Sequence, residues 1–516
     1  MVNQNSFIKG AAILAAAGFI SKALGALYRI PLARMIGGEG MGLYQMAYPI
    51  YTTILSLATA GVPVAISVLI ARKEAQGLSG DSRRLLSLSL VLLGGVGLVL
   101  AVILFWFAPV IAARVLHEPR AALAIGAIAP AIVFAALMSV LRGYFQGYQW
   151  MIPTAVSQVV EQIFRVVFIL VLAFWLLPRG LSYAAAGATF GAVIGGIAGL
   201  IVLMGFYIWY TRRRSRPVQL YRTSEQSSHQ LAADMINLAI PVSLGSVVVP
   251  LVQMLDAIIV PGRLATIGFT TARATELYGQ LSGMASVLIN LPTIFTISIA
   301  ASLVPAISEA ITTTGKDEAV KRVNSGLKLA ALISWPCAIG LFVLATPIMD
   351  LLFETPEAGI PLMPLAFSVL VLAAFQVTSS SLQALGRPDL PLKHLLITGL
   401  IKVFCNYTLT GIAALNIMGP AIGTVLAFSI GSALNLYWLK KLTDLKVEGT
   451  SQAKIAMAAI IMGVLVYYGY EILVISGLGS HLATLAAITA GAGVYGLLVL
   501  IFGELDQQMI RRLLRR

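Results

Sequence analysis

The chain has 516 residues, of which 59% are apolar and 11% charged, and its mean hydropathy is +0.91. A soluble domain carries about 25% charged residues, so this composition excludes a soluble globular protein and points to a polytopic membrane protein. The net charge of +14 is better explained by membrane topology than by nucleic-acid binding, because the bases gather in short segments between long apolar runs.

Runs of about 20 apolar residues, each enough to cross a bilayer, recur along the chain, and none alternates like a barrel strand. The first six spans are expected at 10–33, 43–70, 85–112, 121–141, 153–177 and 183–210, forming an N-terminal lobe over 1–210. The first is expected to be a span and not a cleavable leader, because it runs into Lys22 and Arg29 without a cleavage-type boundary. A basic, Ser-rich linker follows at 211–234, with Arg212, Arg213, Arg214, Arg216 and Arg222. Spans at 236–260, 279–308, 324–352, 361–385, 395–416 and 420–439 form a second lobe over 235–442. The segment 443–516 adds spans at 455–475 and 482–502 and ends in the basic stretch RRLLRR.

The expected fold is thus all-α, with about fourteen transmembrane helices. The odd-numbered loops carry Arg34, Arg114, Arg120, Arg179, Arg263 and Arg273, and the other loop bases lie in the termini and even-numbered loops. The positive-inside rule then places both termini in the cytoplasm.

The two lobes resemble each other. Arg83-Arg84 recurs as Lys321-Arg322, Pro109 as Pro347 and Pro153 as Pro391, at a constant offset of 238, and FAPVI aligns with ATPIM. Six helices per repeat preserve orientation, so the lobes form a parallel pseudo-twofold repeat, a transporter plan, with two extra C-terminal helices. In the sixth span Gly187, Gly191, Gly195 and Gly199 recur every fourth residue, a small-residue stripe for close helix packing.

Nothing indicates an enzyme. No Walker-type glycine loop is present. Cys337 and Cys405 lie in apolar runs, which excludes a disulfide framework. His117, His229, His394 and His481 lack metal-ligand spacing. Neither cofactor nor metal is expected, and the polar residues inside the spans remain as candidates.

The most polar such stretch is Ser139–Arg165, SVLRGYFQGYQWMIPTAVSQVVEQIFR. It reads as a helix end, then a basic, aromatic turn at the membrane surface carrying Arg142, Tyr144, Phe145, Tyr148 and Trp150. Pro153 then opens a new helix. Glu161 and Arg165 are four apart and share a helix face. They form either a self-neutralising pair or the wall of a hydrated cavity. Lys22 and Arg29 lie near one face of the first span, Gln253 and Asp256 on the seventh, and Lys402 and Asn406 on the eleventh. If both lobes turn these faces inward, a cavity lined by Lys22, Arg165 and Lys402, with Arg29 toward one end, suits an anion such as phosphate or pyrophosphate. Asp256 is either a structural partner of Lys22 or Lys402 or, with Glu161, a candidate ion-coupling group.

Three stretches carry a family resemblance: FIKGAAILAAAGFISKALGALYRIPLARMIGGEG, GLYQMAYPIYTTILSLATAGVPVAISVLIARKEAQG and SVLRGYFQGYQWMIPTAVSQVVEQIFR. They resemble the stage V sporulation protein B family, polysaccharide-biosynthesis-type members of the multidrug/oligosaccharidyl-lipid/polysaccharide exporter superfamily. The resemblance extends over essentially the whole chain. It implies fourteen helices in two lobes, alternating access, a bacterial cytoplasmic membrane and a lipid-linked oligosaccharide cargo such as lipid II. It implies that bases on the first helix, here Lys22 and Arg34, meet the head group; at a position between them where relatives carry an arginine this chain has Tyr28, with Arg29 adjacent. It also implies that the last two helices accommodate the lipid tail.

The expected function is therefore a flippase for lipid-linked peptidoglycan precursor, serving cell wall or spore cortex synthesis, with membrane lipid around it and a cell-wall glycan polymerase as candidate partner. The alternatives are a Na⁺- or H⁺-coupled small-molecule exporter and a non-transporting cell-wall scaffold.

Overall fold

Inside a bilayer no water is available to the backbone, so each spanning segment must satisfy its own N–H and C=O groups. The computed structural model describes residues 4–59, 61–213 and 226–504, and among the described residues all regular structure is helical. In chain order the first half contains α1 (Gln4–Leu27), α2 (Arg29–Thr59), α3 (Val62–Ala75), α4 (Ser79–Val110), α5 (Ala122–Ile128), α6 (Ala131–Gly147), α7 (Ile152–Leu176) and α8 (Leu181–Arg213). The remainder contains α9 (Ser228–Thr266), α10 (Thr271–Gly279), α11 (Ser286–Thr313), α12 (Lys316–Val343), α13 (Ala345–Phe353), α14 (Gly359–Ala366), α15 (Ser368–Ala384), α16 (Asp389–Thr410), α17 (Met418–Thr443), α18 (Gly449–Ile475) and α19 (Ser480–Ile501). The basic linker residues Arg214, Arg216 and Arg222 and the terminal RRLLRR lie outside the described residues.

The chain is a multi-pass membrane protein. Eleven runs among the described residues are long and apolar enough to cross a membrane, or twelve if the bent pair Pro356–Ala366 and Ser368–Ala384 is one span. Fourteen were expected. The difference has two sources: Ala12–Ala75 is one run of 64 residues, where two spans were anticipated, and α16 is not among the runs. Asp389, Lys393 and Lys402 dilute the hydropathy of α16. The anticipated second span, 43–70, is also broken, because α2 ends at Thr59 and α3 starts at Val62 with Pro63 in its first turn.

The internal repeat appears in the helix boundaries. Elements starting at 79, 119, 122, 131, 152 and 181 are followed by equivalents starting at 316, 356, 359, 368, 389 and 418, a constant shift of 237. Left-handed turn residues keep the same shift: His117 (φ 56°) with Glu354 (φ 54°), and Gln149 (φ 57°) with Gly386 (φ 75°). The residue matches gave 238, one too many. Pro153 is the second residue of α7 whereas Pro391 is the third of α16, so proline marks the helix start without fixing its register.

Contacts divide the chain into two compact units, Met1–Gly262 with Thr270–Gly279, and Arg263–Phe269 with Gln280–Arg516. The expected second lobe begins at 235, while α9 as far as Gly262 clusters with the first unit. Leu231, Met235 and Ala239 of α9 join a buried core with Val62, Ile66 and Leu69 of α3 and with Met138, Leu141 and Tyr144 of α6. The Gly61 N–H donates to Ser243 Oγ at 3.0 Å. A Cβ on Gly61 would stand 2.0 Å from the Ala239 carbonyl oxygen, so glycine is what permits the approach.

The α6–α7 turn closes through Gln149 in the left-handed region, with the Trp150 N–H donating to Phe145 O at 3.0 Å. Edge-to-face contacts surround it, Phe145 with Trp150 at 5.4 Å and Trp150 with Phe206 at 5.5 Å. This is the aromatic turn read from the sequence, shifted along the chain: Arg142, Tyr144 and Phe145 lie within α6, and the turn itself begins at Tyr148.

The glycine stripe of α8 lies against α7. A Cβ at Gly187 would meet Leu172 O at 2.7 Å, at Gly191 the Ile169 N at 2.7 Å, at Gly195 the Glu161 O at 2.7 Å, and at Gly199 the Glu161 Cβ at 3.2 Å. The two helices therefore pack almost backbone to backbone along the segment that carries Glu161 and Arg165. Gly195→Leu is expected to destabilise the protein by about 1–3 kcal/mol through overpacking, measured as a lower thermal midpoint in detergent. Gly205→Leu, on the same helix with no heavy atom in range, should leave the midpoint nearly unchanged.

Candidate functional site

Pro153 in the first turn of α7 fixes where that helix starts. Eight and twelve residues later Glu161 and Arg165 share a face against α8. The Arg165 guanidinium donates to Glu161 Oε1 at 2.5 Å, so the expected pair forms. The sequence reading missed its third member. Arg142, delivered by α6, donates to Glu161 Oε2 at 2.8 Å and to Ser157 Oγ at 3.2 Å. The three charged side chains are only 13–18% exposed. The available signal was the α6–α7 hairpin itself, which returns the chain past Arg142 within one membrane pass.

One carboxylate between two guanidinium groups leaves an excess positive charge, so the self-neutralising pair is not what forms. A second basic group lies close by. Arg29 is within electrostatic reach of Tyr28, Tyr44 and Tyr48, and Arg165 of Tyr44, Tyr48 and Tyr51. The three α2 tyrosines, four and three residues apart, form a ladder with ring centroids 6.0 Å apart at each step. Tyr28 and Tyr44 share a buried O–H···O hydrogen bond of 2.8 Å. Tyr44 and Tyr51 are buried, whereas Tyr48 is half-buried. The Nε atoms of Arg29 and Arg165 are buried without a hydrogen-bond partner among the described residues, as is Gln158 Oε1. Burying a charged N–H donor without an acceptor is costly, so this cluster has unfilled capacity for an acceptor-rich ligand.

The other sequence candidates are distributed differently. Lys22 is exposed on α1. Arg29 opens α2, after a break at Tyr28, instead of continuing the first helix. Asp256 is half-buried on α9 in the first unit, while Lys402 is half-buried on α16 in the second. Within the second unit, Lys328 pairs with Glu504 at 2.7 Å, and Gln376 accepts from Thr296 at 2.6 Å.

Two further carboxylates anchor helix ends. Glu118, only 1% exposed, accepts from Arg120 Nε at 2.8 Å and from Thr275 Oγ1 at 2.8 Å, while Arg120 also pairs with Glu39 of α2. In the second unit Glu504 accepts from Ser451 at 2.5 Å and pairs with Lys328 and Lys454. Burial pushes both carboxyls up, but the hydrogen bonds and neighbouring cations outweigh it and hold each below the usual carboxylate range. A depressed folded value contributes stability that is complete above the unfolded value of about 4.3 and is lost as pH falls toward the folded one. The thermal midpoint should therefore fall with pH below about 4.3, and Glu118→Gln should reduce that slope.

Removing the central carboxylate isolates two buried cations. Glu161→Gln is expected to cost about 3 kcal/mol or more, read as a large drop in the thermal midpoint. A smaller loss in Glu161→Gln/Arg142→Met than in Glu161→Gln alone would show that like-charge repulsion is the cause.

The chain matches the family described as polysaccharide biosynthesis protein over residues 7–311 and the MatE family over residues 281–408. It is 30% identical over 515 residues to Stage V sporulation protein B of Bacillus subtilis (strain 168), covering 99% of this chain and 98% of that protein. It is 26% identical over 455 residues to Lipid II flippase MurJ of the same organism, covering 84% and 82%. Among solved structures it shares the fold of Lipid II flippase MurJ in an inward closed conformation, with a TM-score of 0.73 at 16% identity over 95% of this chain and 98% of that one.

Proposed function

This chain belongs to the polysaccharide biosynthesis protein family, and from that premise we propose that it is a flippase for a lipid-linked oligosaccharide. The cargo class is a polyprenyl-pyrophosphate-linked peptidoglycan precursor of the lipid II type, moved by alternating access across a bacterial cytoplasmic membrane for wall or spore-cortex synthesis. Both termini are cytoplasmic in this reading. A glycan polymerase would act on the released precursor.

The observation that carries the proposal is the excess positive charge of the first unit's cluster. Arg29 and Arg165 each hold a buried Nε–H with no acceptor among the described residues. Pyrophosphate offers many acceptor oxygens and two or more negative charges, and guanidinium groups bind such oxyanions through charge-assisted hydrogen bonds. Tyr48, the half-buried member of the ladder, adds a hydroxyl and an aromatic face beside both arginines. Glu161 holds Arg142 and Arg165 in place, so this reading assigns it to the clamp and not to ion coupling. The exposed Lys22 of the same unit is a secondary contact for the head group.

The test places the gene in cells whose own lipid II flippase can be shut off and measures surface lipid II with a membrane-impermeant cleaving toxin. Wild type should restore cleavage and growth. Arg29→Gln/Arg165→Gln should lower cleavage by tenfold or more, since each charged hydrogen bond contributes about 1.5–3 kcal/mol. Undiminished cleavage by a stable double variant would remove the clamp.

A second reading, a cation-coupled small-molecule exporter, draws on the MatE match over residues 281–408 and on Asp256. Its sign would be drug efflux on expression with no effect on surface precursor. A non-transporting scaffold would instead complement a deletion when the arginines are neutralised.

A further inference from the structure

The arginine clamp leaves two uncharged groups of the first unit unexplained. Ser21 Oγ on α1 and Gln158 Oε1 on α7 are buried with no hydrogen-bond partner among the described residues, although both residues are only half-buried. Nearby hydroxyls close onto their own helices: Ser139 Oγ donates to Ala136 O at 2.7 Å and Ser157 Oγ to Thr154 O at 2.8 Å. The donors of the ion cluster are directed elsewhere, Arg142 to Ser157 and Glu161, and Arg165 to Glu161. Thr154 Oγ1 is also open, but that residue has no exposed surface.

The packing of α1 on α7 sorts the open groups into two levels. The helices run side by side in the same direction, since a Cβ on Gly10 would meet Met151 Cγ at 3.1 Å and one on Gly25 would meet Gln162 Nε2 at 3.3 Å. Ser21 lies four residues before Gly25, and Gln158 four before Gln162. Both therefore stand one turn to one side of that contact. Arg29 lies four residues after Gly25, and Arg165 three after Gln162, so both stand one turn to the other side. Spacings of three and four keep each set on one helix face. Helical hydrogen bonds continue across the α1–α2 junction, from Tyr28 N–H to Leu24 O at 3.3 Å and from Leu32 N–H to Tyr28 O at 3.1 Å, so the count holds through Arg29. The charged and uncharged levels are about two turns, or about 11 Å, apart.

The two levels require different chemistry. Arg29 and Arg165 offer positive charge and N–H donors, which an oxyanion satisfies. Gln158 Oε1 is an acceptor and needs a donor, while the Ser21 hydroxyl can give or take a hydrogen bond. A bare pyrophosphate satisfies only the charged level. We infer that Ser21 and Gln158 form a second, specificity-determining subsite, which receives a hydroxyl- or amide-bearing sugar attached directly to the pyrophosphate at Arg29 and Arg165. The separation suits a pyrophosphate with one sugar ring attached. An acetamido group carries both an N–H and a C=O, so it matches the Gln158 amide in either orientation. The inference rests on the flippase reading and adds which part of the head group is read, and by which residues.

Binding to the full chain in detergent, followed by native mass spectrometry, tests it with two probes, undecaprenyl pyrophosphate and undecaprenyl-pyrophosphoryl N-acetylglucosamine. Wild type should bind the sugar-bearing lipid about tenfold more tightly than the bare one, the order expected for two uncharged hydrogen bonds. In Ser21→Ala/Gln158→Leu the ratio of the two affinities should fall to about one. Gln158→Leu alone should lower it about threefold, which keeps the test open where the double variant does not fold. A preference that survives in these variants, or a loss shared equally by both probes, overturns the subsite. Wild type that binds the two lipids equally also overturns it and leaves the flippase reading standing. Wild type that binds neither defeats the flippase reading, and the subsite falls with it.

Discussion

The structure of the first unit depends on how a charged helix face is kept inside a bilayer. Glu161 and Arg165 on α7 cannot be hydrated by lipid, and a single ion pair would still leave each group short of partners. The chain meets this with a second guanidinium from α6 and with a glycine stripe on α8 that brings its backbone against α7. Gly195 and Gly199 contribute by having no side chain. They fix the position of α7, and hence of its carboxylate, against the hairpin that delivers Arg142.

Around this ion cluster the unit arranges groups of one polarity. Arg29 and Arg165 flank the tyrosine ladder of α2, and both retain an Nε–H with no acceptor among the described residues. A purely structural cluster would be expected to close its donors against nearby carbonyls, as Arg263 does on Tyr407 O at 3.0 Å. Open donors on two arginines of the same unit are the feature on which the proposed anionic cargo rests.

The repeat shows how one architecture hosts two chemistries. Helix starts and left-handed turns recur at a fixed shift, so the backbone problem was solved once and reused. The side chains at the clamp positions were not conserved between the copies. Where the first unit has charges, the second has a hydrogen-bonded network of His394, Asn435, Thr378 and Ser379.

Composition and apolar run length determined the class of the protein, because a chain this poor in charge can only place its helices in lipid. The i, i+4 spacing determined that Glu161 and Arg165 would meet, since helix geometry is local. The matched prolines and basic pairs showed that the chain repeats, but missed its register by one residue, because a proline can open a helix at its second or third position. Tertiary structure alone decided that Arg142 belongs to the cluster, that Arg29 joins the tyrosines, that Lys22 is exposed and that α9 packs with the first unit. Each of these depends on which faces of separate helices are turned together, and that is set by glycine contacts such as Gly61 on Ala239 and Gly195 on Glu161, which a periodic pattern along one helix does not encode.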